Sequence, residues 1–214
     1  MGVIIAQIRK ILIFSSTMKI LLLVSLIILF LYILPRYKKP RVIKGFITDE
    51  ERSYIIRSAE GKLEESRVTQ GKIVDVTVRK SKTAWLSKDD PIVNGVIQRC
   101  IKYTDRPISN CEKLQVLKYE NDGHYKPHQD CFVDDTNKRL YTFILALNDD
   151  YEGGETYFPI LGEKYKLHAG DALFFNTLDT YENITSKALH GGLPVKSGEK
   201  WVCNLWIRKD SYLG

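Results

Sequence analysis

The sequence is most informative in one stretch, Leu114-Gln-Val-Leu-Lys-Tyr-Glu-Asn-Asp-Gly-His-Tyr-Lys-Pro-His-Gln-Asp130. Its first six residues are typical of a β-strand, and the Asn, Asp and Gly that follow are typical of a turn. In an extended segment, positions i and i+2 point to the same side, so His128 and Asp130 can reach one metal ion. Imidazole with carboxylate suits Fe(II), and the stretch contains no soft thiolate. Because a His-x-Asp pair is common by chance, a third ligand from another strand is needed.

Short apolar segments continue downstream and alternate with clusters of Gly, Asp and Asn. They predict strands over Leu114–Tyr119, Leu140–Leu147, Glu155–Phe158, Ala172–Asn176 and Trp201–Arg208. Upstream, Thr48-Asp-Glu-Glu51 is a capping box that opens a helix through about Glu60, and Asp90-Pro91 begins a second helix. Ile73–Val78 alternates and predicts one further strand. This order predicts an α+β fold with a double-stranded β-helix (jelly roll) core, on which the N-terminal helices pack.

The positive charge of the chain is concentrated at its N-terminal end. The formal net charge is +6, but residues 1–44 contain eight basic side chains and no acidic one. Residues 45–214 therefore carry 24 basic and 26 acidic side chains, which is close to neutrality. A protein that binds nucleic acid is expected to present a basic surface. The charge distribution thus predicts no nucleic-acid partner.

Residues 1–35 are predicted to form an N-terminal signal anchor with one transmembrane helix. Ile20–Leu34 contains no charged residue, and apolar residues before it extend the segment toward the length that spans a bilayer. A cleaved signal peptide is the alternative, but the sequence after Tyr32 offers no small-residue cleavage site. Residues 36–44 are predicted to be a basic juxtamembrane linker, and residues 45–214 a single catalytic domain.

The sequence leaves the side of the membrane open. Five basic residues follow the apolar segment within ten positions, which favours a cytosolic domain under the positive-inside rule. In contrast, Asn183-Ile-Thr185 is a glycosylation sequon that is usable only in a lumenal domain. A Cys100–Cys111 disulfide is an option only in that lumenal compartment. Otherwise Cys100 and Cys203 are predicted to be small buried apolar residues.

The third metal ligand has few candidates, because the chain contains only four histidines. Besides His128 these are His124, His168 and His190. His190 lies 62 residues after His128 and precedes the last alternating strand, a separation that suits a ligand from the opposite sheet of a small jelly roll. Gly191-Gly192, directly after His190, is expected to form a turn, and ten residues beyond His190 stands Lys200.

Five motifs follow one another over nearly the whole region downstream of residue 45. They are Tyr119-x-x-x-Gly-x-Tyr-x-x-His128-x-Asp130, Arg139-x-x-Thr142, Gly153-Gly-Glu-Thr156-x-x-Pro159, Gly170-Asp-Ala-Leu-x-Phe175, and His190 followed after nine residues by Lys200-Trp, with Trp206 beyond. In these motifs and their order the sequence closely resembles the prolyl 4-hydroxylase family of Fe(II)- and 2-oxoglutarate-dependent dioxygenases. The resemblance covers about residues 45–210. An N-terminal anchor before such a domain also resembles single-domain members of that family.

The resemblance implies a catalytic iron site. Its ligands would be His128, Asp130 and His190, two histidines and one carboxylate that leave open coordination positions. The reaction implied is hydroxylation of peptidyl proline at C4, coupled to conversion of 2-oxoglutarate and O2 into succinate and CO2. Ascorbate is implied as the agent that restores oxidised iron. The protein would be a self-contained enzyme that needs no oligomeric partner.

The same resemblance assigns the remaining site residues. Lys200 would pair with the distal carboxylate of 2-oxoglutarate, while Tyr119 and Thr156 would donate hydrogen bonds to it. Several groups are needed there because a buried carboxylate is costly unless charge and donors converge on it. Arg139 and Trp206 match positions near a peptide-substrate groove.

Alternatives to this function remain at the sequence level. On the same scaffold the chain could hydroxylate lysine or another side chain, although Lys200 stands where such relatives typically have arginine. It could also be a non-catalytic binding module, or a zinc hydrolase for which the lysine motif has no purpose. The resemblance further favours a single-pass membrane protein of the endoplasmic reticulum with a lumenal catalytic domain. The basic residues that flank the apolar segment favour the opposite, cytosolic, side.

Overall fold

The computed structural model describes residues 2–68 and 73–213, with side chains described from residue 17 onward. The chain divides into two compact units, Met1–Arg36 and Tyr37–Gly214. The first unit contains helix α1, Gly2–Ile33, whose described large apolar side chains are exposed. Within the described part of the chain, no helix has both the length and the apolar character needed to cross a membrane. The anchor expected at residues 1–35 therefore has no support from this finding and stays a prediction.

The second unit combines two helices with many short strands. The helices are α2 (Asp49–Glu60) and α3 (Pro91–Ile101). The strands are β1 (Arg41–Ile43), β2 (Glu64–Glu65), β3 (Arg79–Lys80), β4 (Lys82–Leu86), β5 (Leu114–Tyr119), β6 (His124–His128), β7 (Arg139–Ala146), β8 (Glu152–Gly153), β9 (Thr156–Phe158), β10 (Glu163–Tyr165), β11 (Ala172–Asn176), β12 (His190–Gly192), β13 (Val195–Ser197) and β14 (Lys200–Arg208).

Two antiparallel sheets form the body of this unit. The larger has the order β1-β11-β7-β14-β5-β4-β2, and the smaller has the order β10-β9-β12-β6-β3. Strands β13 and β8 pair separately. The α+β class with a strand-rich core is therefore confirmed.

Alternation along the central strands of the larger sheet places one apolar set on each face. On β5, Leu114 and Val116 pack into one core with α2 and α3. Leu117 belongs to a second core with Phe158 and Phe175, which lie on strands of the two different sheets. This second core lies between the two sheets. Side chains on the same face of the larger sheet as Leu117 therefore point into the interior, where a buried site can form.

Both predicted helices are confirmed, since their signals are local. Thr48 accepts from the backbone of Glu51 at 3.3 Å, and the Glu51 carboxylate accepts from the Thr48 backbone at 2.9 Å, which completes the capping box. Asp90 accepts at 3.0 Å from the backbone of Ile92 and of Val93 at the start of α3. The five predicted strands are present with bounds within one residue.

Two local predictions are wrong. The strand expected over Ile73–Val78 is not formed. Ile73 makes an isolated bridge with Val68, and residues 76–78 are a turn in which Asp75 accepts hydrogen bonds from the backbone of Thr77, Val78 and Arg79. Gly191-Gly192, expected as a turn, lies in β12 between β6 and β9. A Cβ at Gly191 would stand 2.7 Å from the Tyr125 carbonyl oxygen, so close packing requires this glycine.

Residues 41–43, inside the segment expected as a linker, form β1 and pair with β11. The four cysteines are buried free thiols, including Cys100 and Cys111.

Candidate active site

Strands β6 and β12 bring His128, Asp130 and His190 together. His190 lies directly opposite His128 in the antiparallel register, and the two imidazole centroids are 4.5 Å apart. The Asp130 carboxylate lies 3.6 Å from the Nε2 atom of each histidine. One ligand atom from each of the three residues lies within 4.8 Å of the others. This is a spacing at which three side chains can bind one ion.

Backbone carbonyls orient both histidine rings toward this point. The Nδ1 atom of His128 lies 2.9 Å from the Lys126 carbonyl oxygen, and that of His190 lies 3.0 Å from the Ala188 carbonyl oxygen. A carbonyl oxygen can only accept, so each Nδ1 carries the proton and each Nε2 presents a lone pair to the centre. This arrangement is typical of metal-binding histidines.

The protonation states also fit a metal ligand set. Burial lowers the pKa of His190 to about 4, so this imidazole is neutral near pH 7. Burial by itself would raise the pKa of Asp130, but the neighbouring His190 and His128 hold it well below its ordinary value. Thr142 donates to the carboxylate at 2.7 Å and supports its ionised form.

Replacement of Thr142 by valine is expected to weaken metal binding about tenfold to a hundredfold, since hydrogen-bond partners of metal ligands contribute effects of this size. Equilibrium titration with Mn(II) measures the change. Thr104→Val is the matched control, because its hydroxyl donates to the Ile101 carbonyl at the end of α3. Equal metal affinity in Thr142→Val and wild-type protein would contradict the supporting role of Thr142.

A second group of predicted residues lies at a pocket that residues of both sheets line. Lys200 is buried, its Nζ donates to the Gly154 carbonyl at 2.7 Å, and it faces Tyr119 across the β14–β5 register. Its Nζ lies 5.3 Å from the centroid of the Tyr119 ring. Thr156 lines the same pocket as Lys200, together with Tyr165. The structure therefore places the three residues expected at the co-substrate carboxylate close to one another.

His128 and Asp130 also open onto a groove with a cavity volume of about 950 Å³. Arg139 lies in it, with its guanidinium 3.8 Å from the ring centroid of Trp206. The Trp206 ring lies 6.2 Å from that of Trp85, which is 46% exposed. Both residues expected near a substrate groove, Arg139 and Trp206, thus lie in one that includes His128 and Asp130.

Two further residues that line this groove, Glu112 and Tyr125, were given no role from the sequence. The Glu112 carboxylate accepts from Arg139 at 2.6 and 2.8 Å and from Arg208 at 2.8 Å. These partners lie 27 and 96 residues away in sequence, so no local pattern could have revealed the buried network. The aromatic ring of Tyr125 stacks on His128 at 3.6 Å, on the groove side of the metal site.

The two remaining histidines do not join the triad. His124 bonds the Asp122 carbonyl oxygen at 2.8 Å on the outer part of β6. His168 is largely exposed and lies 3.3 Å from the Asp149 carboxylate. Among the described residues, the triad is the group of histidine, cysteine and carboxylate side chains placed to hold a metal.

Comparisons with known proteins agree with this geometry. Residues 114–208 match the profile of the 2OG-Fe(II) oxygenase superfamily. The protein named "Putative prolyl 4-hydroxylase" of Acanthamoeba polyphaga mimivirus is 35% identical over 187 residues, which cover 82% of this chain and 76% of that protein. This chain belongs to the prolyl 4-hydroxylase family. Prolyl 4-hydroxylase 1 of Arabidopsis thaliana is 34% identical over 198 residues, which cover 80% of this chain and 70% of that protein.

A solved prolyl hydroxylase structure has the same fold. The viral collagen prolyl hydroxylase of Paramecium bursaria Chlorella virus-1, determined as a 2OG complex, superposes with a TM-score of 0.66 at 32% identity. The match covers 80% of this chain and 96% of that protein. Family membership implies Fe(II) and 2-oxoglutarate as cofactor and co-substrate.

The residues present fit both groups. Two neutral imidazoles and one carboxylate form the donor set that suits Fe(II) with coordination positions left open. The buried Lys200 ammonium has a carbonyl as its hydrogen-bond partner and lacks a carboxylate within salt-bridge distance among the described residues. A buried cation in that state suits the anionic end of a dicarboxylate.

Proposed function

We propose that this prolyl 4-hydroxylase family member hydroxylates proline residues of peptides or proteins at C4. It would consume 2-oxoglutarate and O2 and release succinate and CO2. The observation that carries the proposal is the His128, Asp130 and His190 triad, whose first two members line a peptide-sized groove, with the pocket of Lys200 in the same domain. We assign the body that carries the site to the double-stranded β-helix class, on the strand order of its two sheets.

The three ligands would hold Fe(II), and Lys200 would hold the far carboxylate of 2-oxoglutarate with donors from Tyr119 and Thr156. When bound, the iron supplies oxygen activation coupled to decarboxylation of the co-substrate, which provides the oxidising equivalent for the C–H bond. The protein orients these groups, keeps the carboxylate ligand ionised and excludes water from the Lys200 pocket. Ascorbate is proposed as the reductant that restores oxidised iron.

The groove would bind the substrate chain. A proline-rich peptide prefers the extended polyproline II form, which docks on aromatic surfaces. Trp206 and Trp85 offer such a surface next to the metal site, and the Arg139 guanidinium is held over Trp206 by Glu112. The Trp206 Nε1–H is buried and has no hydrogen-bond partner among the described residues, so it is placed to donate to a substrate carbonyl.

The test is a turnover assay of the purified protein with Fe(II), 2-oxoglutarate and ascorbate. Succinate formation is expected to rise when a proline-rich peptide is added. The peptide should gain the mass of one oxygen atom on a proline residue. A parallel peptide with lysine in place of proline examines hydroxylation of another side chain. No succinate above background, together with no metal-dependent 2-oxoglutarate binding, would exclude the enzyme function.

Binding of 2-oxoglutarate is expected to weaken above about pH 8. Burial, with a smaller contribution from the nearby Lys166, lowers the pKa of Lys200 to about 8, and Glu155 opposes the shift. Only the protonated amine can pair with a carboxylate, so affinity is full below this pKa and falls about tenfold per pH unit above it. Calorimetric titration of 2-oxoglutarate, from one pH unit below the Lys200 pKa to two pH units above it, measures the change in affinity. A flat affinity over the range contradicts the pairing.

For the N-terminal unit we propose a membrane anchor over residues 1–35 that places the catalytic domain in the endoplasmic reticulum lumen. The exposed apolar side chains from Met18 to Leu34 support an apolar environment for this segment. Asn183 is exposed and available to a glycosyl transferase in that compartment. Protease protection of the domain in microsomes tests the proposal, and cleavage of the domain in sealed microsomes would refute it.

A further inference from the structure

Residues 37–43, which we call the strap, join the edge strands of both sheets. The Lys39 Nζ lies 2.7 Å from the Glu163 carboxylate on β10. The Tyr165 hydroxyl, also on β10, donates to the Glu163 carboxylate and lies 3.4 Å from the carbonyl oxygen of the buried Pro40. Residues 41–43 of the strap form β1 and pair with β11 of the larger sheet. The strap is therefore a fixed part of the catalytic domain.

At the start of the strap, Tyr37 directs its hydroxyl inward. The residue is half-buried, yet its hydroxyl oxygen is enclosed and has no hydrogen-bond partner among the described residues. Because the residue is partly exposed and its hydroxyl is covered, the side chain points into the domain with the hydroxyl innermost. Because buried polar groups in folded proteins are nearly always hydrogen-bonded, an orphaned hydroxyl suggests a ligand or a functional role.

The surroundings of this hydroxyl connect the two parts of the active site. Burial raises the pKa of Tyr37 well above its ordinary value, and Tyr165, Asp130 and Glu163 raise it further. Tyr165 lines the pocket that contains Lys200, and Asp130 is one of the three metal-site residues. Because the Pro40 carbonyl of the strap contacts the Tyr165 hydroxyl, the strap lies against the wall of the pocket that contains Lys200. The Tyr37 hydroxyl remains protonated near pH 7 and can donate a hydrogen bond.

We propose that Tyr37 binds the 2-oxoglutarate co-substrate by donating its O–H to an oxygen of the bound molecule. The inference rests on the proposed function, since it names a further binding residue for the same reaction. A dicarboxylate that extends from the metal toward Lys200 presents acceptor oxygens along that length. The surrounding carboxylates of Asp130 and Glu163 leave the buried donor unpaired. The segment that resembles a linker in sequence would therefore supply part of the active site.

The test compares full-length Tyr37→Phe with wild-type protein. Calorimetric titration of 2-oxoglutarate into the Mn(II)-loaded protein avoids turnover and measures binding directly. Loss of a hydrogen bond to a charged acceptor is expected to weaken this binding about tenfold to a hundredfold. Mn(II) affinity should not change, and the melting temperature of the ligand-free variant should rise, because a buried unpaired hydroxyl has been removed. Tyr32→Phe is the matched control, since Tyr32 is 74% exposed.

Different results point to different failures. Unchanged 2-oxoglutarate affinity in Tyr37→Phe overturns this inference, whatever its melting temperature. A fall in melting temperature of the ligand-free variant also overturns it, because the hydroxyl would then have a structural partner. If wild-type protein loaded with Mn(II) does not bind 2-oxoglutarate, the proposed function fails and this inference fails with it.

Discussion

Replacement of His190 by alanine is expected to abolish turnover and to weaken metal binding more than about a hundredfold. Mutation of a residue that only hydrogen-bonds to a metal ligand weakens metal binding by up to about a hundredfold, and loss of a ligand itself should cost more. His190 is buried, and its Nε2 lies 3.6 Å from the Asp130 carboxylate. Its loss removes one of three ligands and leaves that buried carboxylate with one neighbouring imidazole, that of His128, instead of two. Equilibrium titration with Mn(II), monitored by the metal-induced rise in melting temperature, measures the effect.

Two comparisons separate loss of the ligand from loss of the fold. His168→Ala removes an exposed histidine outside the triad and should bind metal as the wild type does. The His190 ring packs between Phe158 and Phe175, with centroid distances of 5.5 and 4.8 Å, so the alanine variant also contains a cavity. Circular dichroism without metal establishes that the variant is folded. A folded His190→Ala protein with wild-type Mn(II) affinity would show that the metal site is assigned incorrectly.

Replacement of Lys200 by methionine is expected to raise the 2-oxoglutarate dissociation constant about thirtyfold to a few thousandfold. Truncating one partner of a buried, hydrogen-bonded charge pair costs about 2–5 kcal/mol. Methionine keeps the length of the apolar stem, so the pocket stays filled. Mn(II) affinity should remain as in wild type, because Lys200 donates to the Gly154 carbonyl and not to a ligand. Lys164→Met, which changes an exposed lysine on β10, is the control.

The same variant has a distinct stability signature. Burial lowers the pKa of Lys200 from 10.5 to about 8, so the folded state disfavours the charged amine by about 3 kcal/mol below pH 8. Between about pH 8 and 10.5 the unfolded state binds more protons, and the wild type gains stability as pH rises. Lys200→Met should be more stable than the wild type at pH 7, and the difference should shrink toward pH 10. Denaturant unfolding at both values measures this, and a variant with unaltered 2-oxoglutarate affinity would rule out the assigned role.

The parts of the fold that local signals control could be predicted from sequence. The Thr48 capping box and the Asp90-Pro91 start define α2 and α3 because their hydrogen bonds join residues two or three positions apart. Apolar strands such as β5 and β11 have the predicted bounds. Strand β6 was missed because its side chains are mainly polar, and β12 was missed because it consists of one histidine and two glycines.

The sequence by itself determined which side chains are available for the chemistry. It contains the His-x-Asp pair on one extended segment, few other histidines, and the lysine ten residues beyond His190. Those features are properties of residue type and spacing, and side-chain periodicity within one strand is local.

Only the tertiary structure decided how these residues meet. The register of β12 against β6 places His190 opposite His128, although 62 residues separate them. Folding also buries Glu112 between two arginines and brings Tyr37 of the strap to the interior. These arrangements depend on pairing between distant strands and on contacts that form only when both sheets are assembled, and no periodicity within a short segment specifies them.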